Sequence, residues 1–377
     1  MVRRPLCIEM VDSFKVFLIF GLLASQVTTS VAANVAAEGM LIFEDRNYQS
    51  STYKGQAIVV SNADGTERRF LGGPGANPRW FPSGDRIAYF ISDETNPAVR
   101  ARGERAPNLP GRTVIVDLKG AVLKDVPYYI TDISPDGFRL LVQRGTDPNQ
   151  LDAALASYEI FIYDLRDDSL KKLFGPNQIP NDVSAAYPAA AKWFPDGKGI
   201  LFKLVGINNK WHFPRISCFA RIQDDGSGFR VLTKMPDVKP NTDYAGPGGF
   251  DISPDGETIV YTEESNKNLY LMDLKSLVVR QLTNDGRVGM PANINPVWSP
   301  QGDKIMYTRY NASDAHSEVA LMTINIDGSN PRRVFPTTLR HWIKFFILFE
   351  HDGHVAWWGR RRGNQPGGPN SISIKDH

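Results

Sequence analysis

Cysteine is almost absent from this chain, whose 377 residues carry only Cys7 and Cys218. No disulfide framework is available, so stability must come from a buried core, which a chain of this length can supply. An excess of one charge is also lacking. The 43 Lys and Arg against 41 Asp and Glu leave +2, without the concentrated basic surface of a nucleic-acid binder, so no nucleic-acid partner is expected. No apolar run approaches the roughly 20 residues of a membrane helix. Val16–Ala24 is nine residues long, and Trp342–Phe349 is short and interrupted by Lys344. Gly-x-Ser-x-Gly does not occur, which removes the usual hydrolase elbow. LGGPGANP from Leu71 and AGPGGF from Ala245 lack the spacing of a phosphate-cradling loop and read as connecting loops.

What is present begins with a leader. Arg3, Arg4 and Lys15 precede the apolar run at Val16–Ala24, and the small residues Val31, Ala32 and Ala33 follow. That order predicts a cleaved signal peptide over residues 1–33 and an exported protein, periplasmic or extracellular, with no membrane-spanning segment once the leader is removed. Cys7 leaves with the leader. Cys218 lies in the apolar run RISCFARI, where a free cysteine acts as a small buried hydrophobe.

The chain is dominated by self-similarity. Pro, a polar residue and Gly, followed by a strand-like apolar run, recur in RWFPSGDRIAYF from Arg79, TDISPDGFRLLVQ from Thr131 and KWFPDGKGILFK from Lys192. FDISPDGETIVYT from Phe250 and VWSPQGDKIMYT from Val297 repeat it, and FEHDGHVAWW from Phe349 is a worn copy with His351 in the proline place. The turn glycines Gly84, Gly137, Gly197, Gly256, Gly302 and Gly353 are spaced by 53, 60, 59, 46 and 51 residues. Proline presets the first corner, Asp or Ser accepts a backbone hydrogen bond, and glycine takes the positive φ that closes a hairpin. A second hairpin recurs between these, as in TVIVDLKGAVLKDV from Thr113, IFIYDLRDDSLKKLF from Ile160 and LYLMDLKSLVVRQLT from Leu269.

Six hairpins of each kind predict six four-stranded units, and the 344 residues after the leader, shared among six, come to about 57 each. Such units repeated radially make an all-β, six-bladed β-propeller over residues 40–358, with seven blades as the alternative and a basic, disordered tail at 359–377. The ring is expected to close by pairing of N- and C-terminal strands. Leu41–Phe43 and His354–Trp358 compete for the same strand of the shared blade, and the sequence does not decide between them.

These repeats resemble those of the TolB-like exported propeller family, over about residues 40–358. The resemblance implies a propeller fold and a binding or interaction role, with no cofactor. TolB itself has an α/β domain ahead of its propeller, whereas here the repeats begin almost directly after the leader.

Candidate chemistry is sparse, so the chain reads as a non-catalytic module for a protein, small-molecule or glycan ligand held at a loop rim or in the central channel. Arg100, Arg102 and Arg105 lie in a loop between an inner and an outer hairpin, and Trp211 with His212 lie in the equivalent loop two blades on. Rigidly held loops of this kind are where propellers bind partners, so these five residues are the candidate ligand-binding residues. The alternative function is a metal-dependent carbohydrate-active enzyme, a lyase, since related propeller lyases hold metal through histidine. His341, His351 and His354 are the residues in question, but no ordered carboxylate accompanies them, and no metal site is assigned. Asp64, Asp225 and Asp327 read as hairpin turns rather than calcium loops. Asn311-Ala312-Ser313 is a glycosylation sequon, meaningful in a eukaryotic secretory pathway.

Overall fold

The computed structural model describes residues 40–50, 54–63, 66–93, 111–146, 158–183, 187–207, 215–236, 244–287, 291–313, 316–334 and 355–358. These form six antiparallel sheets arranged as the blades of one ring. Blade two runs outward through Ala76–Trp80, Arg86–Ser92, Gly111–Asp117 and Val122–Val126. Blade three follows with Ile130–Ile133, Arg139–Gly145, Tyr158–Asp164 and Leu170–Phe174. Blade four has Tyr187–Trp193, Gly199–Ile207, Arg215–Gln223 and Arg230–Val231. Blade five has Pro247–Ile252, Thr258–Glu263, Asn268–Asp273 and Val279–Gln281. Blade six has Ala292–Trp298, Lys304–Ser313, His316–Asn325 and Arg332–Arg333.

The strands read as continuous apolar runs because both faces of a middle strand are covered. In blade four, Ile200, Phe202 and Leu204 pack with Leu141, Ile160 and Phe174 of blade three. Leu201 and Val205, one step out of phase, pack with Phe250, Ile259 and Tyr261 of blade five. Each blade interface is thus one hydrophobic core, and the ring holds by face-to-face burial.

The inner turns follow the expected chemistry. Gly84, Gly137, Gly197, Gly256 and Gly302 have φ between 69° and 79°. Each donates its N–H to the carbonyl three residues back, at 2.8–2.9 Å. In the Ser-Pro-Asp-Gly copies the serine adds a clamp: Ser134 Oγ accepts from Arg139 N at 2.9 Å and donates to Asp136 Oδ1 at 2.5 Å, and Ser253 repeats this with Thr258 and Asp255.

Blade one closes the ring with both ends of the propeller. Its order is Val355–Trp358, Met40–Gln49, Lys54–Asn62 and Arg69–Gly72, from the axis outward. The expected competition for one strand does not occur: Val355–Trp358 is innermost and Met40–Gln49 lies beside it, with Met40 opposite Trp358 and Phe43 opposite Val355. The reason is packing. Leu41 and Phe43 are buried with Val297 and Met306 of blade six, and Ile42 with Ile87 and Val114 of blade two, so Met40–Gln49 fills a second-strand place and leaves the axial place open. A second correction concerns AGPGGF: it is not only a connecting loop, because Pro247–Ile252 is the innermost strand of blade five. Tyr244–Ala245 adds a short parallel pairing to Arg215–Ile216. The leader and the tail after Trp358 lie outside the described residues, and the sequon Asn311-Ala312-Ser313 ends the strand Lys304–Ser313.

Candidate functional site

Antiparallel order gives the ring two unlike rims. On one, five residues separate the first and second strands of each of blades two to six, and four to six residues separate the third and fourth strands in every blade. On the other, the links between second and third strands range from two residues (314–315) to eighteen (93–110), and the blade-to-blade connections leave from the same side. Variable connections on a rigid frame are where binding groups are normally placed.

A ring of charges lies inside the innermost strands, at the position just before the Trp or Ile of each repeat: Arg79, Asp132, Lys192 and Asp251 in blades two to five. Arg79 Nε donates to the Thr131 carbonyl at 3.1 Å. Asp132 Oδ2 accepts the N–H of Trp193 at 2.8 Å. Lys192 Nζ reaches Asp251 Oδ1 at 3.1 Å, and Asp251 Oδ2 accepts the N–H of Trp298 at 2.9 Å. Every bond crosses from one blade to the next, so cations and carboxylates alternate as staples. Burial pushes the Asp132 carboxyl above the usual carboxylate value, against the pull of Lys192, Arg79 and the N–H groups of Trp193 and Ile133. In blade six Val297 takes the equivalent place and the alternation stops. The ring is committed to holding blades together.

The far ends of the inner strands carry a second set of crossings. Asn77 Nδ2 donates to Tyr129 Oη at 2.6 Å, Gln143 Oε1 accepts Ala190 N at 3.1 Å, and Ser217 Oγ donates to the Pro247 carbonyl at 2.7 Å. Between blades five and six, Asn293 Nδ2 donates to Asp285 Oδ1 at 2.7 Å, and Arg309 pairs with the same carboxylate. Although burial works against its charge, hydrogen bonds from Arg309 and Asn293 hold Asp285 below the ordinary carboxylate value.

A cleft of about 700 Å³ opens at the variable rim, where blade three leads into blade four. Val183, Ile216, Phe229, Val231 and Met235 give it an apolar floor, and Asp182, Arg230 and Lys234 give it charged edges. Phe229 is fixed by stacking on Phe174, with ring centroids 4.8 Å apart. Thr233 is fixed as acceptor for the N–H of Phe219 at 2.9 Å. The fourth strand here is only Arg230–Val231, so the chain leaves the sheet early and the cleft stays open.

No family model matches the sequence. Among solved structures, TolB from Acinetobacter baumannii superposes with a TM-score of 0.52 at 18% identity, over 78% of this chain. A protein from Agrobacterium tumefaciens, provisionally named TolB, superposes with a TM-score of 0.50 at 15% identity, over 79% of this chain and 88% of its own. The fold is that of the TolB propeller. The chain spans 62% of the length of the A. baumannii protein.

On this TolB-type ring the sequence-predicted residues occupy two places. Arg100, Arg102 and Arg105 belong to the 93–110 connection of blade two, and Trp211 and His212 to the 208–214 connection of blade four; all five lie outside the described residues. Their flanking strands end on the variable rim, two blades apart. Ile216, on the cleft floor, follows the Trp211–His212 loop by four residues. His341, His351 and His354 also lie outside the described residues, and among the described residues no three His, Cys, Asp or Glu side chains converge. Asp225 and Asp327 make turns as expected, each accepting the N–H of the serine two residues on at 2.8 Å. Sequence reasoning missed the staple ring, although aligning the repeats on their turn glycines places its alternating charges in one column. It also missed the cleft, for which the repeats carry no signal.

Proposed function

We propose that this protein is an exported, non-catalytic binding module that takes a protein or glycan ligand at the variable rim, in the cleft between blades three and four. The observation that carries this reading is the cleft itself: an apolar floor edged by Asp182, Arg230 and Lys234, beside the connection that bears Trp211 and His212. Apolar burial supplies affinity in such a site, and the few charged groups set orientation. Arg100, Arg102 and Arg105 extend the same rim with groups suited to carboxylates. Export rests on residues 1–33, and periplasmic or extracellular placement follows from it.

Affinity capture from the exported fraction tests the site. Arg230→Glu with Lys234→Glu should lose a partner that the unaltered chain retains, while the melting temperature stays close to normal. Retention by the reversed-charge protein would move the site elsewhere on the ring. Turnover of a uronate polymer by purified, metal-supplemented protein would overturn the non-catalytic reading. N-terminal sequencing of the exported form should begin near Asn34 or Glu38, and an intact Met1 would overturn cleavage.

A further inference from the structure

Five of the six innermost strands are fastened at one end by a five-residue turn to the second strand of their own blade. Val355–Trp358 is not. Its sheet neighbour is Met40–Gln49, and the two are joined covalently only through the whole ring. It is also short, with four residues in register, and 21 residues separate it from Arg333, the end of the preceding strand among the described residues. The other blade-to-blade links of the ring are shorter, from three residues at 73–75 to fifteen at 232–246. The acceptor is firmly built: Leu41, Ile42 and Phe43 are buried in the cores on either side of blade one. Release of Val355–Trp358 would therefore leave an intact strand with an open edge, and open edges pair with whatever strand fits.

From this we infer that Val355–Trp358 exchanges between two copies of the chain, each copy's closing strand completing blade one of the other. A second copy is the occupant that fits, because it presents the identical segment in the identical register. A fully extended link of 21 residues spans roughly 70 Å, enough to reach a neighbouring ring. Strand exchange needs no new interface chemistry and is a low-cost route to a symmetric dimer. A tether of this length holds its strand at an effective concentration on the order of millimolar, so exchange is concentration-dependent.

The test is a crosslink at paired positions. A full-length chain with Cys7→Ser, Met40→Cys and Trp358→Cys is oxidised over a range of concentrations, both directly and after refolding at high concentration. Mainly intrachain crosslinks are expected at low concentration. The interchain dimer fraction should rise about tenfold for each tenfold increase, until it levels off near millimolar. Intrachain crosslinks alone at every concentration would overturn the inference, as would equal dimer yield from either single-cysteine chain.

Discussion

Asp251 is the most heavily used carboxylate in the staple ring, which makes Asp251→Ala the sharpest test of that ring. Two groups lose their partner at once: the N–H of Trp298, bonded at 2.9 Å, and the Lys192 ammonium at 3.1 Å. An orphaned buried N–H costs about 1–3 kcal/mol. Removing one member of a fully buried ion pair costs about 3–5 kcal/mol. Here the pair is less enclosed, since Asp251 keeps 23% of its side-chain surface exposed against 9% for Lys192. Asp132 also remains close enough to Lys192 to compensate part of its charge. The expected loss is therefore about 2–3 kcal/mol. Asp251→Asn keeps an acceptor for Trp298 and removes only the charge, so about 1 kcal/mol is expected. Urea unfolding of the two variants, with Lys192→Met in a double-mutant cycle, provides the measurement. The reasoning fails if Asp251→Ala lies within about 0.5 kcal/mol of the unaltered protein, the range of ordinary surface substitutions. It fails equally if Asn is as costly as Ala, or if Lys192→Met and Asp251→Ala show no coupling.

Burial holds the Asp132 carboxyl above its unfolded value, so the folded state binds the proton more tightly and the group's contribution to stability falls as pH rises through the folded value. The stability of Asp132→Asn relative to the unaltered chain should accordingly be greater at pH 7 than at pH 4; the reverse order in urea titrations would refute the assignment. Burial pushes the Cys218 thiol up to about 12, so in a Cys7→Ser chain a thiol reagent should modify Cys218 only as fast as the protein opens, and rapid labelling of native protein would contradict its place in the core. At Gly246, with φ 92°, a β-carbon would meet the Ser217 carbonyl oxygen at 2.1 Å, whereas at Gly226, with φ 94°, the nearest such contact is 3.9 Å. Both changes to Ala carry a left-handed backbone cost of about 1–2 kcal/mol, but Gly246→Ala adds a backbone clash. Thermal melts should rank it clearly below Gly226→Ala, and similar melting temperatures would refute the close approach.

The blade count was legible because its code is local. Pro82, Gly84 and their counterparts direct a turn within five residues, and the apolar runs that follow record burial on both faces. The column of Arg79, Asp132, Lys192 and Asp251 was written in the same repeats, but its meaning depends on partners about fifty to sixty residues apart in the chain. Local pattern cannot show that Asp132 receives Trp193 N–H rather than water. The strand order of blade one was hidden for a related reason: Leu41–Phe43 and Val355–Trp358 are both short and apolar, and only the cores of blades six and two distinguish a second-strand place from an axial one.

The amino-acid sequence by itself determined the repeat, the hairpin turns and the six-bladed ring, since each depends on residues adjacent in the chain. Only the tertiary structure decided which terminal strand lines the axis, which charges staple neighbouring blades, and where the rim opens into a cleft. Those outcomes depend on how separate blades meet, and in particular on the two-residue outer strand Arg230–Val231, which leaves Val183, Ile216, Phe229 and Met235 facing a shared space.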